Sequence, residues 1–106
     1  MTDYESKYLG IIRDIILANI DKDKFNVFLF GSRARGDNNR RADVDIGILG
    51  NEPLGKAYYK IADEIEESIV PYKVDIVDFS FVKEEFKKEA LKDIILWNKA
   101  KNSEIN

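Results

Sequence analysis

The chain has no cysteine and no histidine among its 106 residues. Disulfides and thiolate metal sites are therefore excluded. Histidine general catalysis and the usual zinc sites go with them, and Asp and Glu are left as the bases and metal ligands on offer. No apolar run reaches the length of a membrane span, so no membrane association is expected. Basic residues are not in excess: 17 Lys and Arg stand against 20 Asp and Glu, a formal charge of −3. That balance argues against a broad basic face, and no direct contact with nucleic acid is expected. The start, MTDYESKY, is polar and mixed in charge rather than a secretory signal, and a soluble cytoplasmic protein is expected. The chain shows no repeat, low-complexity tract or internal linker, and its length suits one small domain over residues 1–106.

What is present reads as alternating helices and strands. Tyr4, Tyr8, Ile12, Ile15, Ile16 and Ile20 recur at helical spacing and predict a helix from about Tyr4 to Asn19. Phe25–Phe30 (FNVFLF) is short, aromatic and β-branched, a buried strand stopped by Gly31. Ser32 to Gly36 predicts one helical turn capped by Ser32, and Asp37–Arg41 a polar loop. Asp43–Leu49 is a second strand, and Pro53 introduces a helix with Leu54, Tyr58, Ile61, Ala62, Ile65 and Ile69 on one stripe. Tyr72–Phe79 is a third strand. Ser80 is expected to cap a last helix carrying Val82, Phe86, Ala90, Ile94 and Trp97, with a polar tail fraying from Lys99. The order is α-β-α-β-α-β-α, and a small mixed sheet with helices packed on it is the simplest way to bury those faces.

The residues that bear chemistry lie between Gly31 and Asp75. A strand ending in Gly and opening into a helical turn presents unpaired backbone N–H groups, which favour a phosphate; the Ser32 hydroxyl adds a donor, and Arg33 and Arg35 add charge. Taken alone, Gly-Ser after a strand is more often an ordinary capped turn. Residues two apart on a strand share a face, so Asp43, Asp45 and Gly47 lie on one side and Val44, Ile46 and Ile48 on the other. Gly47 is expected to leave the acidic side open. Two carboxylates so close repel unless a cation lies between them, and Mg²⁺ takes such oxygen ligands together with phosphates. A lone Asp-x-Asp in a chain with eleven Asp reads more readily as the solvated side of an edge strand. Asp75 sits mid-strand between Val74 and Ile76, where Asp is disfavoured. It either reaches the same cation from the neighbouring strand, or faces water or a basic partner. Asp78 points to the opposite face and reads as a loop or capping residue.

Together, the Gly31-Ser32 turn, the Asp43-Val44-Asp45 strand after a short gap and Asp75 on a later strand resemble the nucleotidyltransferase superfamily that includes DNA polymerase β. The chain is most similar to its minimal nucleotidyltransferases, often encoded beside a HEPN-domain protein, and the resemblance runs from the first helix to about Lys99. It implies a polymerase β-like nucleotidyltransferase fold. It implies that Gly31, Ser32 and Arg33, within the GSRARG run, bind the nucleotide phosphates. It further implies that Asp43, Asp45 and Asp75 hold two Mg²⁺ ions and that Asp75 serves as base, with ATP as substrate. Members of this group are similar to antitoxins that transfer AMP to a tyrosine hydroxyl of a HEPN ribonuclease toxin, which would be the partner here. Two other readings stand beside that one: a non-catalytic antitoxin that masks such a partner by contact, and a nucleotidyltransferase acting on a small molecule, whose known forms carry an extra domain for the acceptor.

Overall fold

The computed structural model describes residues 2–37, 43–101 and 103. Thr2 sets the start of α1 (Asp3–Ala18): its hydroxyl accepts the Glu5 N–H at 3.1 Å, relieving one of the unpaired donors of the first turn. The following elements are β1 (Phe25–Phe30), β2 (Val44–Gly50), α2 (Lys56–Glu66), β3 (Val74–Asp78), α3 (Glu84–Ala90) and β4 (Ile95–Asn98). The four strands form one mixed sheet in the order β3-β2-β1-β4. β1 runs antiparallel to both its neighbours, while β2 and β3, joined through α2, are parallel. Among the described residues no helix is long and apolar enough to cross a membrane.

Strand alternation divides the side chains between two faces. Val27 and Leu29 of β1, Val44, Ile46 and Ile48 of β2 and Ile76 of β3 meet Leu9, Ile12 and Ile16 of α1 and Ile61 and Ile65 of α2. This is the larger core. On the other face Phe28, Phe30 and Phe79 form a smaller aromatic cluster, with ring centroids 5.0–6.1 Å apart, covered by Ala90, Leu91, Ile94 and Leu96. The second face is only partly roofed, and its acidic residues stand where the roof ends.

The mixed α/β class is as expected, but the order of elements differs in two places. The last helix stops at Ala90, and Ile95–Asn98 instead pairs with the open edge of β1. A central strand with one unpaired edge has backbone groups to satisfy, and ILWN is β-branched and aromatic enough to serve. Ser80 does not cap α3. Its hydroxyl and N–H both donate to the Asp78 carboxylate, at 2.6 and 3.0 Å, closing β3, and Lys83 occupies the N-cap without a side-chain bond. Residues Ser32–Gly36 form a backbone-bonded turn rather than a helix. Of the tail expected to fray from Lys99, residues 102 and 104–106 lie outside the described residues, while Ala100 and Lys101 are held. Ala100 is buried, and its N–H donates to the side chain of the buried Asn26 at 2.9 Å. The Lys101 N–H donates to the Asp23 carbonyl at 2.8 Å. Of the expected loop Asp37–Arg41, residues 38–41 lie outside the described residues.

Candidate active site

The turn after β1 is shaped by Gly31. Its φ is +76°, a conformation that L side chains rarely adopt, and a β-carbon there would collide with the Asp45 carboxylate. The turn is held by its own backbone: the Arg35, Gly36 and Asp37 N–H groups donate to the carbonyls of Gly31, Arg33 and Ser32 at 3.1–3.3 Å. These bonds run from the end of the turn to its beginning, so the leading amides are not consumed by it. The Ser32 hydroxyl makes no hydrogen bond among the described residues. Ser32 is thus not the cap expected from the sequence; it follows Gly31, which abuts the Asp45 carboxylate.

Register brings the acids together. Asp45 of β2 lies opposite Asp75 of β3 and opposite Phe30 of β1, so Asp75, Asp45 and Phe30 form a row across the sheet on the face away from α1 and α2. Asp43 precedes β2, and its carboxylate meets the Lys73 ammonium at 3.7 Å. Burial raises the pKa of Asp45 above the ordinary carboxylate value; the charges of Asp75 and Asp43 raise it further, and Arg35 and Lys73 pull it back. A half-buried carboxylate crowded by two others is a place where a cation or a proton is welcome. Among the described residues no set of three or more carboxylates is closed tightly enough to hold an ion by itself. The acids share a face and a row, but ligands from outside the chain would have to complete a metal shell.

Three details depart from the sequence reading. Gly47 does not leave open space beside the acids: a β-carbon there would run into the rings of Phe28 and Phe79, so its missing side chain makes room for the aromatic cluster. Arg33 is buried, with its guanidinium 3.2 Å from the Glu5 carboxylate of α1 and 4.4 Å from the centre of the Tyr72 ring. It ties the turn to α1 and to the chain leading into β3, on the side of the sheet opposite Asp45. The cations felt by Asp45 are Arg35 and Lys73. Arg35 was visible in the GSRARG run. Lys73 could have been found only by placing β3 parallel to β2, where the Val44 N–H donates to the Lys73 carbonyl at 2.9 Å. Asp78 behaves as a capping residue, accepting the Leu54 N–H at 2.9 Å besides its bonds to Ser80.

The arrangement matches known proteins along most of the chain. Residues 9–102 fit the family model described as nucleotidyltransferase domain. The chain is 30% identical over 87 residues to a Haemophilus influenzae protein described as probable protein adenylyltransferase MntA, covering 81% of this chain and 75% of that one. Among solved structures it resembles a toxin–antitoxin crystal structure with AMP-PNP, at 24% identity, covering 90% of this chain and 76% of that chain with a TM-score of 0.68. It also resembles a chain of the tri-AMPylated Shewanella oneidensis HEPN toxin in complex with MNT antitoxin, at 21% identity, covering 89% of this chain and 72% of that chain with a TM-score of 0.65. These two likenesses establish a shared fold. With the glycine turn, the strand acids and the sheet order all in place, and with the family model spanning nearly its whole length, the chain belongs to the nucleotidyltransferase domain family.

Proposed function

We propose that this chain is a Mg²⁺-dependent nucleotidyltransferase that moves AMP from ATP onto a tyrosine hydroxyl of a HEPN-type ribonuclease, acting as its antitoxin. The observation that carries the reading is the cross-strand pairing of Asp45 with Asp75 directly beside the Gly31 turn. The choice of protein acceptor is supported by the MntA relative, which is named as a protein adenylyltransferase, and by the HEPN toxin complex among chains of the same fold.

The donor set suits magnesium: carboxylate oxygens only, no nitrogen or sulfur ligand, and an Asp45 whose charged form Arg35 and Lys73 compensate only in part. Asp43 and Asp45, with Asp75, would hold the metal, and when bound it supplies positive charge to the phosphate oxygens of the triphosphate. The amides at the start of the turn and the Ser32 hydroxyl bind the phosphate chain, and Arg35 adds a charge beside it. Asp75 accepts the proton of the incoming tyrosine hydroxyl. The tyrosine oxygen forms a bond to the α-phosphorus, the bond from that phosphorus to the bridging oxygen breaks, and pyrophosphate leaves with the electron pair. Arg33 holds the turn against α1 while this happens.

The test is to incubate the chain with Mg²⁺, ATP labelled in the α-phosphate and a HEPN-type protein from the same genome. Label is expected on a tyrosine of the partner and not with Asp43→Asn plus Asp45→Asn. Inhibition of the partner by that double variant, without label, would replace this reading with masking by contact.

A further inference from the structure

A phosphate on the Gly31 turn meets a hydroxyl at Asp75 only if the two are held at one spacing, yet they belong to strands that do not touch. β2 lies between β1 and β3. Behind the sheet a side-chain link spans them. Arg33 follows the Gly31-Ser32 pair, and the centre of the Tyr72 ring lies 4.4 Å from its guanidinium. Tyr72 stands just ahead of β3, three positions before Asp75. The residue after it, Lys73, accepts the Val44 N–H on its carbonyl at 2.9 Å, and its ammonium meets Asp43 at 3.7 Å. A shift of the Tyr72 ring therefore reaches the start of β3 through one residue that is already bonded to the chain carrying Asp43 and Asp45. The ring is braced by α1: the Tyr8 ring meets it edge-on, with centroids 6.1 Å apart and planes at 90°. Arg33 is buried and also meets Glu5 at 3.2 Å. The Tyr72 hydroxyl makes no hydrogen bond among the described residues, so the contact with Arg33 belongs to the ring.

We propose that Tyr72 is a positioning residue for nucleotidyl transfer: its ring, stacked on the Arg33 guanidinium, sets the spacing between the phosphate-binding turn and Asp75. The inference rests on the transferase reading above and adds to it what holds the two halves of the site together. A cation against a ring face is a stronger contact where water is excluded, as it is around Arg33. In-line displacement tolerates little error, and a misplacement on the order of 1 Å can cost about a hundredfold in rate. Binding of the phosphate chain is less demanding. It uses the leading amides of the turn, whose shape is set by the Arg35, Gly36 and Asp37 backbone bonds without Tyr72. Loss of the ring should therefore slow transfer and spare affinity.

Two measurements on the full chain in Mg²⁺ separate rate from affinity. One is the single-turnover rate of AMP transfer from labelled ATP to a HEPN-type protein from the same genome. The other is the Kd for AMP-PNP by titration calorimetry. Tyr72→Leu keeps an apolar side chain but removes the ring, and is expected to slow transfer about tenfold while the Kd stays within about twofold of wild type. Tyr72→Phe keeps the ring and is expected to transfer at the wild-type rate. Tyr72→Met, whose longer chain fills more of the same space, carries the test should the Leu variant fail to fold. A wild-type rate in folded Tyr72→Leu, equal slowing in Tyr72→Phe, or a Kd that rises as much as the rate falls would overturn the positioning role. If the wild-type chain transfers no label, the transferase reading falls and this inference with it. If wild type transfers label and Tyr72→Leu matches it, the positioning role alone falls.

Discussion

Asp45→Asn should make the empty protein more stable while removing its activity. Asn preserves the shape of the side chain that lies against Gly31 and removes the charge that burial, Asp75 and Asp43 all oppose. Like charges opposite one another across a strand pair cost roughly 0.2–1 kcal/mol. Solvent reaches this carboxylate, which holds that term toward its lower end, and the partial burial of charge adds to it, so a gain of about 1 kcal/mol is expected. In a domain of this size that is a rise in Tm of about 4–8 °C. The pH dependence fixes the cause. At low pH Asp45 is protonated in both folded and unfolded chains, and the penalty is absent. Because the folded-state pKa is the higher one, the unfolded chain releases its proton first as pH rises, and folding stability declines. The decline continues through the raised folded value and is complete above it. The Tm difference between variant and wild type should therefore open as pH rises through the carboxylate range and stay constant above it. Differential scanning calorimetry between pH 3 and pH 8 would measure this. A variant no more stable than wild type at neutral pH, or a gap independent of pH, would refute the idea that the acids are electrostatically strained in the absence of a cation.

Gly31→Ala combines a positive φ with a collision against Asp45 and should lower stability by about 1–3 kcal/mol, read by urea denaturation, and weaken AMP-PNP binding at the same turn. Gly47→Ala intrudes on Phe28 and Phe79 and should cost about 1–3 kcal/mol by overpacking, with the larger core on the opposite face unaffected in hydrogen exchange. Arg33→Ala removes a buried guanidinium from between Glu5 and Tyr72 and should cost about 2–4 kcal/mol in urea denaturation, whereas Glu5→Gln, whose side chain is partly solvated, should cost less than about 1 kcal/mol. Equal effects from these two substitutions would contradict the burial assigned to Arg33.

Most strands and helices could be read from local pattern because one periodicity dominated each of them. FNVFLF with Gly31 behind it left no helical alternative, and the assigned span of β1 matches the structure. The end of the chain was ambiguous for a physical reason. Ile94 and Trp97 continue the helical stripe of Phe86 and Ala90, while Ile94 and Leu96 also alternate as a strand does, and only the unpaired edge of β1 decides between them. The Asp45–Asp75 neighbourhood was inferable from two strand assignments, since both acids fall at positions that cannot enter the apolar face. Arg33 was not: its neighbours in sequence suggest an anion, but its partners, Glu5 and Tyr72, are 28 and 39 positions away. Gly47 misled because a glycine on a strand reads as vacant space until the rings that fill it, Phe28 and Phe79, arrive from β1 and from beyond β3.

The central claim is that the row formed by Asp45 and Asp75 beside the Gly31 turn carries nucleotidyl transfer to a protein hydroxyl. Intact-mass spectrometry of the HEPN-type partner, after incubation with ATP, Mg²⁺ and either the wild-type chain or Asp75→Asn, addresses it most directly. The account predicts a mass increase of one or more AMP units with wild type, none with Asp75→Asn, and AMP-PNP affinity largely retained in that variant. An unmodified partner with the wild-type chain, or equal modification by Asp75→Asn, would contradict it.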